Sequence, residues 1–266
     1  MINKIIFSLK EIGVINTILR ILTYGQRGEQ RKKFKEMLKS KDIQSRFEKI
    51  YKGKLWGDAG SVSGPGSTLE NTIAIRKELP LIFKKLEIKT VLDAPCGDFA
   101  WMQKIVRESN IKYIGGDIVD EMIQDLNKKY ADKNTSFIHL DITESALPNA
   151  DILICRDVLF HLSYKNITKF FNNLKRSDFK YIAITNNIGN YVNRDINTGE
   201  FRRLNFFIEP FLIPETSIVY RFIDGPEGMI FPRELIIYEK RIFEEDINNF
   251  IKNYNFMSRL KAASFI

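Results

Sequence analysis

Val91-Leu92-Asp93-Ala94-Pro95-Cys96-Gly97-Asp98 is the stretch on which the fold turns: a short apolar run ends in an acid, and a tight turn follows before Trp101 opens a helical pattern. In an open α/β sheet, ligands meet the carboxyl ends of such strands, and Gly97 lets the backbone approach closely. On either side of it, short apolar runs alternate with amphipathic stretches. The pattern predicts a helix over residues 70–86, strands over 90–94, 113–117, 135–140, 152–155 and 181–185, and helices over 101–109, 121–130 and 164–174. Strands separated by helices give a parallel sheet covered on both faces. Beyond residue 186 the rhythm changes. Runs at 218–223 and 234–239 flank Asp224-Gly225-Pro226-Glu227-Gly228, a hairpin signal. The expectation is an α/β, Rossmann-like, seven-stranded and mostly parallel sheet with an antiparallel pair at its end.

Before the sheet, apolar residues at three- and four-residue steps predict an amphipathic helix over residues 2–22, and a second helix is expected over 30–50. Residues 51–68, rich in glycine and serine, read as a loop. The expected division is a helical extension with a cofactor-covering loop over residues 1–68, and a main domain over 69–266 with an acceptor-binding insertion at 188–215. At 266 residues and 44% hydrophobic content, the chain can bury one substantial core, which argues against two large domains and against global disorder. Cys96 and Cys155 are the two cysteines. They form no CxxC or Cys/His cluster, so neither a disulfide framework nor a zinc site is indicated, and a reducing cytoplasm is the default. No metal cluster is visible, although one or two acids could recruit magnesium.

Residues 1–22 are interrupted by charges and read as neither a signal peptide nor a spanning helix. The net charge of +8 is densest between Arg27 and Lys41. It fits a solvated helical face, a peripheral contact through residues 1–22 with the anionic inner face of the membrane, or nucleic acid. A membrane role would suit a lipid-linked acceptor.

Asp117 and Asp141 follow Asp93 at equal spacing, each at the end of its own strand. Asp117 is placed to accept from two ribose hydroxyls, and Asp141 from an adenine amino group, with Ile118 and Ile142 as apolar walls. Singly, each acid could be a helix cap or turn residue. Three at successive strand ends are harder to explain that way.

Val91–Asp98, Gly115–Ile118, Leu140–Ile142 and Ile154–Ser163 resemble the cofactor motifs of class I S-adenosylmethionine-dependent methyltransferases, over about residues 72–186. Trp56-Gly57, Ser63 to Ser67, Cys155 to Leu162, Arg203-Leu204-Asn205 and Pro210-Phe211 resemble a bacterial subgroup associated with glycan assembly. The resemblance implies the class I methyltransferase fold, S-adenosylmethionine as cofactor and methyl transfer as activity. It implies cofactor contacts from Asp93, Ala94, Pro95, Cys96, Gly97, Asp117, Ile118, Asp141, Ile142 and Arg156. The superfamily often carries three alternating glycines after the strand-one acid. This chain has Pro95 and Phe99 at the first and third of those positions, which leaves Phe99 placed to narrow the methionine end. The tighter loop also argues against a dinucleotide, whose pyrophosphate needs an open glycine turn.

Trp56, Ser63, Gly64 and Arg76 could close over the methionine carboxylate, which favours a cation and backbone donors; the bland alternative is an ordinary surface loop. His161 follows strand four and is the candidate base for a hydroxyl acceptor, against a capping or packing role. His139, inside strand three, reads as structural. Asp157 could orient His161, contact the acceptor or touch the cofactor, and Arg156 could instead form a structural ion pair. Between Asn190 and Pro214, aromatics interleaved with Asn and Arg suit either an acceptor-binding lid for sugars or a cover over a sheet edge. The leading expectation is O-methylation of a sugar or glycan intermediate. RNA or protein methylation is the runner-up, disfavoured because Arg156-Asp157-Val158-Leu159 lacks the Asp/Asn-Pro-Pro-aromatic segment of base amino-group methylases; a non-catalytic binding module and an NAD-dependent enzyme come behind.

Overall fold

The structure is a computed structural model describing residues 32–40, 42–56, 60–189, 191–229 and 232–263, with side chains as far as residue 255. The helix expected over residues 2–22, and the first part of the basic run, lie outside the described residues.

Seven strands form one sheet in the order β3-β2-β1-β4-β5-β7-β6. They are β1 (Thr90–Asp93), β2 (Lys112–Asp117), β3 (Thr135–His139), β4 (Ile152–Cys155), β5 (Tyr181–Asn187), β6 (Ile218–Ile223) and β7 (Arg233–Glu239). The first five pair in parallel, while β7 pairs antiparallel with both β5 and β6. The order reverses direction between β1 and β4, so the carboxyl edge there forms the crevice where this class of sheet takes its ligands. The expected fold is the observed one.

β4 is buried at every position, as an interior parallel strand covered on both faces must be. Helices α1 (Ile43–Lys52), α2 (Ile73–Lys85), α3 (Met102–Glu108), α4 (Asp120–Tyr130), α5 (Tyr164–Leu174) and α6 (Lys240–Ala263) accompany the sheet. Met37, Phe47 and Ile50 belong to the same buried cluster as Leu92, Ile154 and Ile184. The segment before the sheet is thus packed into the main core.

The single helix expected over 30–50 is two. Residues 32–38 are helical, and α1 begins afresh at Ile43, because Asp42 is extended and accepts the Ser45 N–H at 2.7 Å. An aspartate in that role starts a helix rather than continuing one. The segment after β5 is also more buried than a free lid would be. Exposure alternates along Phe201 to Phe206, with Arg202, Leu204 and Phe206 buried. Asn187 Oδ1 accepts from Leu204 N–H at 2.9 Å, and Asn186 Oδ1 from Phe206 N–H at 2.8 Å. The asparagines that end β5 therefore hold this segment down, satisfying backbone donors without a strand ladder.

Candidate active site

β2 ends in Gly115-Gly116-Asp117, and both glycines are required by close approach. A Cβ on Gly115 would lie 2.6 Å from the Phe137 ring and 3.1 Å from Cys96 Sγ; one on Gly116 would lie 2.6 Å from Leu140. The edges of β1, β2 and β3 can thus close on one cleft. Asp93, Asp117 and Asp141 all line it, with Pro95, Cys96, Gly97, Ile118 and Ile142 between them.

The three carboxylates differ in their surroundings. Asp93 is 1% exposed and accepts the Tyr113 hydroxyl at 2.8 Å. Burial pushes it up to about 7, against the downward pull of Tyr113 and Arg156. Asp117 accepts the Val119 and Gly97 N–H groups at 3.0 and 3.1 Å, and burial raises it to about 6 against those donors. Asp141 accepts the Thr143 N–H at 2.7 Å and so also shapes its own turn. Each acid is braced by protein donors, and carboxylate oxygens with two lone pairs apiece retain acceptor capacity.

The outer wall comes from before the sheet: Phe47, Ile50 and Tyr51 of α1, Trp56, and the loop that follows. That loop is tied to the β1 turn by a reciprocal clasp. Asp98 Oδ2 accepts Ser61 Oγ–H at 2.7 Å and Val62 N–H at 2.9 Å, while Ser63 Oγ accepts Asp98 N–H at 2.9 Å. Gly64, at φ +97°, turns the chain and does not line the cleft.

β4 delivers Arg156 and Asp157 to the opposite wall. Arg156 donates through Nε to Asp224 Oδ2 at 2.7 Å and through Nη2 to Oδ1 at 3.2 Å, and its Nη1 lies 3.2 Å from Asp157 Oδ2. Burial opposes its charge, but Asp157 and Asp224 outweigh that and raise its pKa. Asp157 also pairs with Arg233 at 3.3 Å and accepts the Thr185 hydroxyl at 3.1 Å. Held this way, Asp157 does not orient His161, whose Nδ1 lies 2.9 Å from the Glu200 carbonyl. A carbonyl only accepts, so Nδ1 carries the hydrogen and Nε2 the lone pair. Burial lowers the imidazole to about 4, partly offset by Glu200. His161 stacks on Trp56 with centroids 4.5 Å apart and lies 5.8 Å from Phe201.

Of the residues read from sequence, Trp56, Ser63, Asp93, Pro95, Cys96, Gly97, Asp117, Ile118, Asp141, Ile142, Arg156 and Asp157 share the cleft. Ala94 is buried beside it, accepted into the sheet through its N–H to Ile154 O. Arg76 is not on the wall and donates to Leu69 O at 2.8 Å. His161 is not on the wall either, and reaches the cleft through Trp56. Phe99 does not narrow the cleft, because it turns into an aromatic cluster with Tyr113 and Phe137, 5.0 Å from each. Asp98, Tyr113, Asp224 and Arg233 went unassigned in the sequence. Asp98 was visible in the motif itself, whereas the other three are joined to the site by the fold. Among the described residues, no group of three His, Cys, Asp or Glu could hold a metal ion, and no helix is long and apolar enough to cross a membrane.

Residues 91–177 match the family model described as a methyltransferase domain. No curated protein matches the sequence. Among solved structures, a methyltransferase dependent on S-adenosylmethionine from Leishmania major superposes with a TM-score of 0.57 at 13% identity, covering 78% of this chain and 90% of that one. The 1,6-didemethyltoxoflavin-N1-methyltransferase of Burkholderia thailandensis gives 0.54 at 13% identity, over 74% and 86%. Mitomycin 7-O-methyltransferase gives 0.52 at 12% identity, over 77% and 60%. Residues 91–177 thus match a methyltransferase domain, and the sheet as a whole has the fold of the class I S-adenosylmethionine-dependent methyltransferases. S-adenosylmethionine is the cofactor of that class.

Proposed function

We propose that this protein transfers a methyl group from S-adenosylmethionine to a hydroxyl of a sugar or glycan intermediate. The cofactor supplies an activated methyl on a cationic sulfur. In this reading Asp117 accepts from the ribose hydroxyls, Asp141 faces the adenine amino group, and Ile118, Ile142 and Phe47 keep the base dry. Asp93 and the Cys96–Gly97 turn hold the methionine end, covered by Ser63 and Trp56. The pocket suits a phosphate-free nucleoside. Gly97 already gives its N–H to Asp117, and the cleft wall is rich in acids that a pyrophosphate would meet as like charge.

The observation that supports an oxygen acceptor is the state of His161. Its Nδ1–H is committed to Glu200 and its pKa is low, so Nε2 presents a lone pair throughout the neutral range. A hydroxyl must lose its proton at or near the transition state, and since His161 stands behind Trp56 rather than on the cleft wall, this reading has the acceptor meet the imidazole beside that indole. Holding acceptor and cofactor in line supplies much of the remaining acceleration. Beside His161, Trp56 and the 56% exposed Phe201 offer aromatic faces suited to the C–H faces of a sugar ring.

The test is methyl transfer from labelled S-adenosylmethionine to a panel of nucleotide sugars, lipid-linked saccharides, RNA and protein. Label on a saccharide oxygen is the expected outcome. Label on RNA or protein alone overturns the acceptor assignment, and the absence of transfer to any of them leaves a cofactor-binding module.

A further inference from the structure

The loop over residues 61–67 forms one wall of the cleft through Val62, Ser63 and Ser67. Its first half is fastened by Asp98. Its second half is fastened elsewhere, on a buried cluster of two arginines and two aspartates. The Gly66 carbonyl accepts from Arg156 Nη2 at 3.0 Å and from Arg233 Nη2 at 3.4 Å. Arg233 belongs to β7, and it also meets Asp224 at 3.4 Å and Asp157 at 3.3 Å. Asp224, at the start of the turn after β6, is fully buried, and Arg156 is nearly so.

The fit at Gly66 is close. A Cβ there would come within 2.8 Å of Asp157 Oδ2 and 3.4 Å of an Arg233 nitrogen. Asp157 holds its position in the left-handed region, at φ +55°, with its N–H given to Thr185 Oγ1 at 2.9 Å. A non-glycine residue in that conformation persists where surrounding contacts over-determine it. The cluster is neutral in sum, and each of its charges has a partner. A carbonyl approached by two guanidinium groups is held more strongly than by a neutral donor.

We infer that Arg233 is a positioning residue for cofactor retention: with Arg156 it grips the Gly66 carbonyl and holds the 61–67 wall closed over the cleft, so that the β6–β7 hairpin, remote in sequence, sets how fast cofactor leaves. This rests on the cofactor reading above. Arg233 touches no reacting atom in this account. It acts through the loop; removing it leaves Asp224 and Asp157 sharing Arg156, so the cluster gains one net negative charge, and Gly66→Ala is the variant that loosens the grip with the charges unchanged.

The experiment compares Arg233→Met, Arg233→Lys and Gly66→Ala with the unaltered chain. Hydrogen exchange over residues 61–67 reads the grip without cofactor; release of S-adenosylmethionine, followed by tryptophan fluorescence since Trp56 and Trp101 both line the cleft, reads its consequence. Arg233→Met should speed exchange in that segment and raise the release rate by about tenfold, the loss of one charge-assisted hydrogen bond. KM for cofactor should rise several-fold more than kcat falls. Arg233→Lys should recover part of the effect, and Gly66→Ala should reproduce it with every charge intact. Unchanged exchange in folded Arg233→Met and Gly66→Ala overturns the grip, and faster exchange with unchanged release overturns the role in retention. If one variant fails to fold, the other decides. If the unaltered chain binds no S-adenosylmethionine, the cofactor reading and the role in retention fail, while exchange over 61–67 still reads the grip.

Discussion

The row of acids at the ends of β1 to β3 and the charged cluster beneath β4 face the same cleft, yet they are built in opposite ways. Asp117 is braced by the Val119 N–H two residues away and by Gly97 in the adjacent turn, and Asp141 by Thr143. Arg156 finds Asp224 across 68 positions of chain, and Arg233 finds Gly66 across 167. In the first region, each acid is braced by neutral donors from its own turn or the neighbouring strand and can be exchanged without stranding a charge. In the second, four groups hold one another. A buried charge stripped of its partner is costly, so the two regions should respond differently to the same kind of substitution.

The largest effect is expected in the cluster. Arg156→Met leaves Asp224 with only the longer Arg233 contact, and should destabilise the fold by about 3–5 kcal/mol in chemical denaturation. A loss below about 1 kcal/mol would mean that the cluster is as tolerant as the acid row. His161→Ala should lower turnover about 100-fold or more while cofactor affinity by calorimetry stays within about threefold. Near-normal turnover reduces His161 to its stacking role beside Trp56. Asp117→Ala should weaken cofactor binding by about 1–3 kcal/mol, since a ribose donor pair loses its acceptor, and should do so with little change in melting temperature. Coupled losses of binding and stability there would erase the contrast between the regions.

The smallest effect is a pH dependence confined to the acid row. The folded-state pKa values of Asp93 and Asp117 lie above their unfolded ones, at about 7 and about 6. Their contribution to stability is therefore present below about pH 4 and lost as pH rises through 6 and 7. Cofactor binding draws on the ionised form, so affinity should rise several-fold from pH 5 to 7.5. His161 moves the other way. With its pKa lowered to about 4, it stays neutral across this window, and kcat at saturating cofactor should show no break near 6.5. A break there would mean that the base titrates as an ordinary histidine.

This contrast also explains what could be read from the chain alone. Strand ends are marked by where an apolar run stops, so Asp93, Asp117 and Asp141 could be placed on one edge, and the hairpin around Asp224–Gly228 by its turn residues. Gly115 and Gly116 stand out within the β2 motif, but the reason for them, the approach of Phe137 and Leu140, depends on packing. Arg156 reads from sequence as a cofactor contact or an ion-pair member, and its pairing with Asp224, across 68 positions of chain, is visible only in the fold. Asp157 was given a choice of roles that includes orienting His161; the carbonyl that does this, Glu200, lies in a segment with no periodicity to follow. Phe99 was read from a glycine pattern as an intruder on the cleft, because nothing local shows that its φ of +59° turns the ring away. The helix break at Asp42 is legible locally, since an aspartate three residues before a serine is a capping signal.

The outer wall built from Phe47, Ile50, Tyr51 and Trp56 has a practical consequence for moving this catalytic unit into another protein. The matched segment 91–177 contains all three acids, and trimmed to that length it would offer them to open water, with no ceiling above the nucleoside. Phe47 and Ile50 are also core residues, so their removal exposes the floor of the sheet as well. The smallest transplantable piece is therefore set by the roof, and begins well upstream of the first strand.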